Sequence, residues 1–158
     1  MIKSLFITGS TGDVLIERHW RGVTPRSVCD FFWDEVNKCD QRTEVPPILY
    51  RPKHYLVSIF REDVYVIATL AKDVAPLLVI EFLHRIIDIF VEYFGAADEG
   101  SIKDNFSVVY QLLEEMLDNG NPLMTEPNAL KAMIKPQSVM GRLQAVATGR
   151  SNVSDVLP

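Results

Sequence analysis

Between Pro76 and Phe94 the chain places apolar residues at positions 77, 78, 79, 80, 82, 83, 86, 87, 89, 90, 91 and 94, which predicts a helix with only a narrow polar stripe. Glu81, His84, Arg85, Asp88 and Glu92 interrupt the run, so a bilayer span would bury several charges at prohibitive cost. Pro76 suits the first helical position, and Gly95 supplies the stop. A helix that is apolar most of the way round must be covered on more than one side. A sheet covers one side and a neighbouring helix another, and a partner chain is expected over whatever remains.

A second helix is written between Ile102 and Asp118, where Ile102, Phe106, Val109, Leu113 and Met116 recur at helical spacing. Asn119-Gly120 and Pro122 are expected to end it as a left-handed stop and a breaker. The linker between the two helices is short, so they should pack as neighbours. Upstream, Ile2 to Thr8 and Val14 to Trp20 read as strands of a hairpin around Gly9-Ser10-Thr11-Gly12-Asp13, a turn long enough to expect a bulge. Thr24 and Pro25 open a helix carrying Val28, Phe31, Phe32, Val36 and Cys39 and ending near Asp40. After Val45-Pro46-Pro47, Ile48-Leu49-Tyr50 suits a short edge strand, because flanking prolines are tolerated there. Tyr55 to Phe60 and Val64 to Leu70 alternate about Arg61-Glu62-Asp63 as a second hairpin.

The 158 residues suffice for one domain with a full core, and the hydrophobic share of 47% against 23% charged is globular. The organisation expected is a folded domain over 1–120, a short helical extension packed on it over 121–148 with brief helices at Asn128 to Ile134 and Val139 to Thr148, and a linker over 149–158. A formal charge of −5, with no Lys/Arg cluster visible along the chain, argues against nucleic-acid binding. The first residues are too short and interrupted for a signal peptide, and Cys29 and Cys39 suit reduced thiols, so the cytosol is the expected compartment.

No catalytic constellation emerges. The Gly9 to Asp13 turn lacks the Lys-Ser/Thr of a phosphate loop and precedes a strand where a cradle needs a helix. Glu81-x-x-His84 has the spacing of a di-iron ligand pair but no second copy. Cys29 with His19, His54 or His84 lacks an orienting third residue and lies in the apolar rhythm of a helix. Glu114, Glu115 and Asp118 line one exposed helix face, whereas paired carboxylates at work need a cleft. Trp20, Trp33 and Phe31-Phe32 sit at core spacing, not as a ligand platform. No enzyme activity, cofactor, metal site or small-molecule substrate is expected.

The Ile102 to Leu123 stretch closely resembles the corresponding helix of the medium (mu) and small (sigma) chains of the clathrin-adaptor family. Ile2 to Ile7, Gly12-Asp13-Val14 and Glu17 to Trp20 resemble the first hairpin of the medium chains. Ser27 to Phe32, Pro46-Pro47-Ile48, His54-Tyr55-Leu56, Pro76-Leu77, Ile80 to Arg85, Thr125 to Lys131, Ile134-Lys135-Pro136 and Ser151 to Pro158 resemble medium chains of the third adaptor-protein complex. Asn121 departs from the aromatic expected before Pro122, and Gln111 stands where Glu is expected. The resemblance implies an α+β fold, a longin-like α-β-α sandwich with a mostly antiparallel five-stranded sheet, one helix on one face and two on the other. It also implies a non-enzymatic scaffold within a heterotetramer, docked on a large beta-type chain beside the other large chain and the small sigma chain. Such a complex is peripheral on Golgi and endosome membranes and transport vesicles, and sorts membrane proteins toward lysosome or vacuole. The pocket for tyrosine-based signals belongs to a C-terminal β-rich domain outside these residues. On the two helix faces, Phe82, Arg85, Ile89, Tyr110, Glu114 and Met116 are the expected partner contacts. The alternative is a free longin module that regulates a small GTPase or a membrane-fusion protein, since the fold alone does not set function.

Overall fold

The computed structural model describes residues 1–136; the expected helix at Val139 to Thr148 and the linker over 149–158 lie outside the described residues. Five strands, β1 (Ile2–Gly9), β2 (Val14–His19), β3 (Ile48–Tyr50), β4 (Tyr55–Arg61) and β5 (Val64–Leu70), form one antiparallel sheet in the order β2-β1-β5-β4-β3. The register of β1 on β2 shifts between Ile7 and Thr8, the irregularity that the long turn predicts. Glu62 and Asp63 join β4 to β5 with φ of 53° and 60°, the doubly left-handed turn whose twist matches a hairpin. Along β5 the side chains divide by parity. Val64, Val66, Ala68 and Leu70 enter one core and Tyr65 and Ile67 the other, so the central strand is buried on both faces.

Helix α1 (Ser27–Asn37) covers one face, setting Val28, Cys29, Phe32 and Val36 against Phe6, Leu56, Tyr65 and Ile67. Helices α2 (Pro76–Phe94), α3 (Glu99–Asp104) and α4 (Phe106–Met116) lie on the other, and α5 (Pro127–Met133) adds Leu130 to the same core. The expected layering of one helix against two therefore holds, with the second of the two broken in the middle.

Several local expectations are corrected. Thr24 does not cap α1: its hydroxyl accepts from Ser4 at 2.7 Å and its N–H donates to His19 Nδ1 at 3.2 Å, so it is tied to the strand ends and the helix begins at Ser27. That helix also stops at Asn37, and a 3₁₀ turn follows at Arg42–Glu44, where the Glu44 carboxylate accepts from the N–H groups of Asp40 and Gln41.

The helix expected over 102–118 is two helices. The Asn105 side chain donates to the Ser101 carbonyl at 2.7 Å and its backbone leaves the helical region at φ −123° and ψ 23°, a short amide competing for the preceding turn. Phe106, expected on the apolar face, is thereby turned outward and is exposed. Nor do Asn119-Gly120 form a helix stop. With φ of 48° and 83° they make the turn of a small hairpin between β6 (Leu117–Asp118) and β7 (Asn121–Pro122), which pulls the last turn out of α4. The Gly120 carbonyl then accepts from Ile2 N–H at 2.8 Å, and a Cβ at Gly120 would lie 2.0 Å from the Ile2 oxygen.

Candidate partner-docking site

Helix α2 is wrapped more completely than its sequence suggests. Val79, Phe82, Leu83, Ile86, Ile87, Ile89, Phe90 and Tyr93 are buried, Ile80, Val91 and Phe94 half-buried, and only Leu77 and Leu78 in the first turn are exposed. The third side is covered from within, by the arm that follows β7. Tyr93 donates its hydroxyl to the Ile134 carbonyl at 2.8 Å, Lys131 pairs with Glu92 at 2.5 Å, and Leu130 is wholly buried. The expectation that another polypeptide must hide this surface is thus met in large part by the chain's own arm.

Between α2 and that arm runs a surface groove in two lobes. One, of about 540 Å³, lies among Arg85, Asp88, Ile89, Glu92 and residues Leu123 to Pro127. The other, of about 510 Å³, lies among Met1, Leu78, Glu81, Phe82, Arg85, Pro122 and Thr125. Arg85 and Thr125 are common to both. Arg85 is exposed and 3.5 Å from Glu81, an i, i+4 pair of little worth in water, so its guanidinium is available to an incoming carboxylate. Phe82 and Ile89 are 4% and 2% exposed and form the floor; Leu123 stands 69% exposed on the rim.

The expected contact residues thus divide. Arg85 is at the surface. Phe82 and Ile89 belong to the chain's own core and show only an edge to the groove, and Met116 is fully buried in that core. Tyr110 is half-buried and its hydroxyl serves β2: it donates to the Glu17 carbonyl at 3.2 Å and accepts from the Glu17 N–H at 3.3 Å, closing the outer edge of that strand. Glu114 is exposed on α4 and pairs with Arg18 of β2. So Arg85 lies on one surface and Tyr110 with Glu114 on another. The arm from Leu123 to Pro127 is the part that periodicity missed; its one signal is the apolar pair Leu123-Met124 after a proline.

Cys29 packs under α1 while His84 belongs to α2, across the sheet, and burial foremost, with Glu17 and Asp30, pushes the Cys29 thiol up to about 11. Glu17 is held below the usual carboxylate range by its hydrogen bond to His19 and then by Arg26, an ion cluster on the edge strand. Phe32 and Trp33 both meet the Tyr65 ring edge-on, at 5.2 and 6.0 Å, and Trp33 lies against Gly12. Among the described residues, no three His, Cys, Asp or Glu side chains converge as a metal site, and no helix is long and apolar enough to cross a membrane.

The family described as clathrin adaptor complex small chain matches residues 1–141. This chain belongs to that family. Within it the chain is 48% identical over 158 residues to AP-3 complex subunit mu-2 of Homo sapiens, covering 100% of this chain and 38% of that protein. It is 50% identical over 160 residues to AP-3 complex subunit mu of Dictyostelium discoideum, again covering 100% of this chain and 38% of the relative. The chain therefore spans well under half the length of these relatives. A chain of a structure titled "Homology model of the full-length AP-3 complex in a stretched open conformation" superposes with a TM-score of 0.65 at 12% identity, covering 94% of this chain and 98% of that one. That likeness carries the longin-like fold and nothing more.

Proposed function

We propose that the chain is the N-terminal, non-enzymatic assembly domain of an adaptor-complex medium chain. It joins a heterotetramer by docking on a large beta-type chain, with the other large chain and a small sigma chain completing the complex. The complex works at the cytoplasmic face of Golgi and endosome membranes and on transport vesicles, sorting membrane proteins toward lysosome or vacuole. The single observation that carries this reading is the identity of 48–50% to AP-3 mu subunits across every residue of the chain. The groove centred on Arg85, with Leu123 on its rim, is the docking surface the geometry favours, because it joins an apolar floor to an available guanidinium. The chain then divides into a longin-like body over 1–120, an extension over 121–148 whose residues Leu123 to Pro127 form the second wall of the groove, and a linker over 149–158 toward a cargo-binding domain.

Co-expression with a large beta-type adaptor chain tests the assignment. A stable complex is expected, weakened about tenfold or more by Arg85→Glu with Leu123→Asp while the melting temperature of the chain stays constant. A monodisperse chain with no affinity for that partner would overturn the reading, and selective binding of a small GTPase instead would favour the free longin module.

A further inference from the structure

The five strands end flush. Trp20 and Arg21 donate their N–H groups to the Lys3 carbonyl, Ile2 pairs with Leu70, Leu70 with Tyr55, and Tyr55 with Tyr50. Basic residues far apart in sequence are thereby brought to one end: Lys3, Arg21, Arg51, Lys53 and Lys72, together with the amino terminus. Against them stand the carboxylates of Asp73 and Asp118, with Asp30 a turn further along α1; Arg26 is paired with Glu17. Two groups register the positive potential. The Met1 amino group is lowered by burial and then by Arg21, and His54 by burial and then by Arg51 and Lys3. The positive ends of the α1 and α2 dipoles also point this way, since both helices start beside these strand ends. At the opposite end stand Asp13 and Glu62-Asp63 in the hairpin turns, Glu99 against Gly9, and Glu44 beside an Arg42 that binds the Ser10 carbonyl, while Glu81, which lines one lobe of the groove with Met1, borders the basic end.

The basic end is also where apolar side chains stand free. Val23 is 82% exposed, Tyr50 70% and Leu77 76%, each in or next to a loop that carries one of the cations. The cations are distributed over the full width of the sheet, roughly 19 Å for four strand spacings. A spread of charges with isolated apolar tips between them matches a plane of anionic headgroups, into which short side chains insert and to which each cation adds independently. An acidic peptide would instead need its cations aligned along a groove.

We infer that this end of the sheet is a membrane-facing surface that rests on anionic lipid, with Val23, Tyr50 and Leu77 entering the headgroup layer and Lys3, Arg21, Arg51, Lys53 and Lys72 facing the lipid charge. One lobe of the Arg85 groove, at Met1 and Leu78, borders this surface, whereas Val23, Tyr50, Arg51 and Lys53 lie outside that groove. A chain of net charge −5 is repelled by an anionic bilayer unless such a local surface turns it end-on.

Flotation of the 158-residue chain with vesicles of phosphatidylcholine alone, or with about a third phosphatidylserine, provides the test. Each cation near an anionic surface is worth roughly fivefold in partition, so Lys53→Ala with Lys72→Ala should weaken binding to the anionic vesicles about 25-fold. Both side chains are exposed, and an unchanged melting curve shows that the fold survives. Binding should fall as salt rises, and Val23→Asp should reduce it further. Lys38→Ala with Lys103→Ala, away from this end, should leave it within about twofold. Equal binding to both vesicles, no binding to either, or an equal loss in the control variant would overturn the inference. So would capture of a soluble polyglutamate peptide as tight as that of anionic vesicles, which would make the surface a reader of acidic protein.

Discussion

Replacing Tyr110 by phenylalanine separates two roles for a residue expected at a partner interface. Its hydroxyl makes two hydrogen bonds to one residue of the edge strand, at 3.2 Å to the Glu17 carbonyl and 3.3 Å from the Glu17 N–H. The ring itself stays in Tyr110→Phe, so the loss is confined to those bonds. Each contributes about 0.5–1.5 kcal/mol net, and both are slightly longer than the usual range, so the pair is worth the lower part of the sum, about 1–2 kcal/mol. For a chain of this length that lowers the melting temperature by about 2–8 °C. Thermal unfolding followed by circular dichroism measures the shift, and amide exchange of the Glu17 N–H locates it, with exchange about tenfold faster when the loss is near 1.4 kcal/mol. A variant with unchanged melting temperature and unchanged Glu17 protection refutes the edge-sealing role. If that same variant lost affinity for the large adaptor chain, Tyr110 would be a contact after all.

Gly120→Ala should destabilise by about 2 kcal/mol or more, because a left-handed φ of 83° strains any L side chain and the new Cβ would lie 2.0 Å from the Ile2 oxygen, prising the β6–β7 hairpin off β1; denaturant titration checks this. Cys29 should resist a disulfide-exchange reagent at pH 8 while Cys39, half-buried at the helix end, labels first. The Cys29 thiol is raised in the fold to about 11, so the unfolded chain releases that proton first: stability is unaffected below about pH 8.5 and falls between there and pH 11, a loss Cys29→Ala abolishes.

Periodicity made the elements legible wherever one residue in two or one in three to four meets the same surroundings. Helix α2 runs from Pro76 to Phe94 as written, because proline and glycine mark its ends independently of any packing. The β4–β5 hairpin and the prolines about β3 were equally plain. Reading failed where short polar side chains choose among partners that local sequence does not name. Thr24 binds strand ends in place of a helix, Asn105 breaks α3 from α4, and Asn119-Gly120 turn a hairpin where a helix stop was equally good chemistry. The proposed docking groove was half legible: Arg85, named from its helix, lines that groove, while Phe82, Ile89 and Met116 are buried in the chain's own core.

The family, the α-β-α layering and the need for a long apolar helix to be covered on several sides were legible along the chain. What covers that helix, the chain's own arm through Leu130 and Tyr93, emerged from the folded arrangement, which also drew Lys3, Arg21, Arg51, Lys53 and Lys72 to one end of a chain whose linear order shows no basic cluster. The reason is one of range. A helix or strand repeat reports the surroundings of residues a few positions apart, whereas coverage and surface charge are sums over residues that meet only when the antiparallel sheet brings its strand ends level.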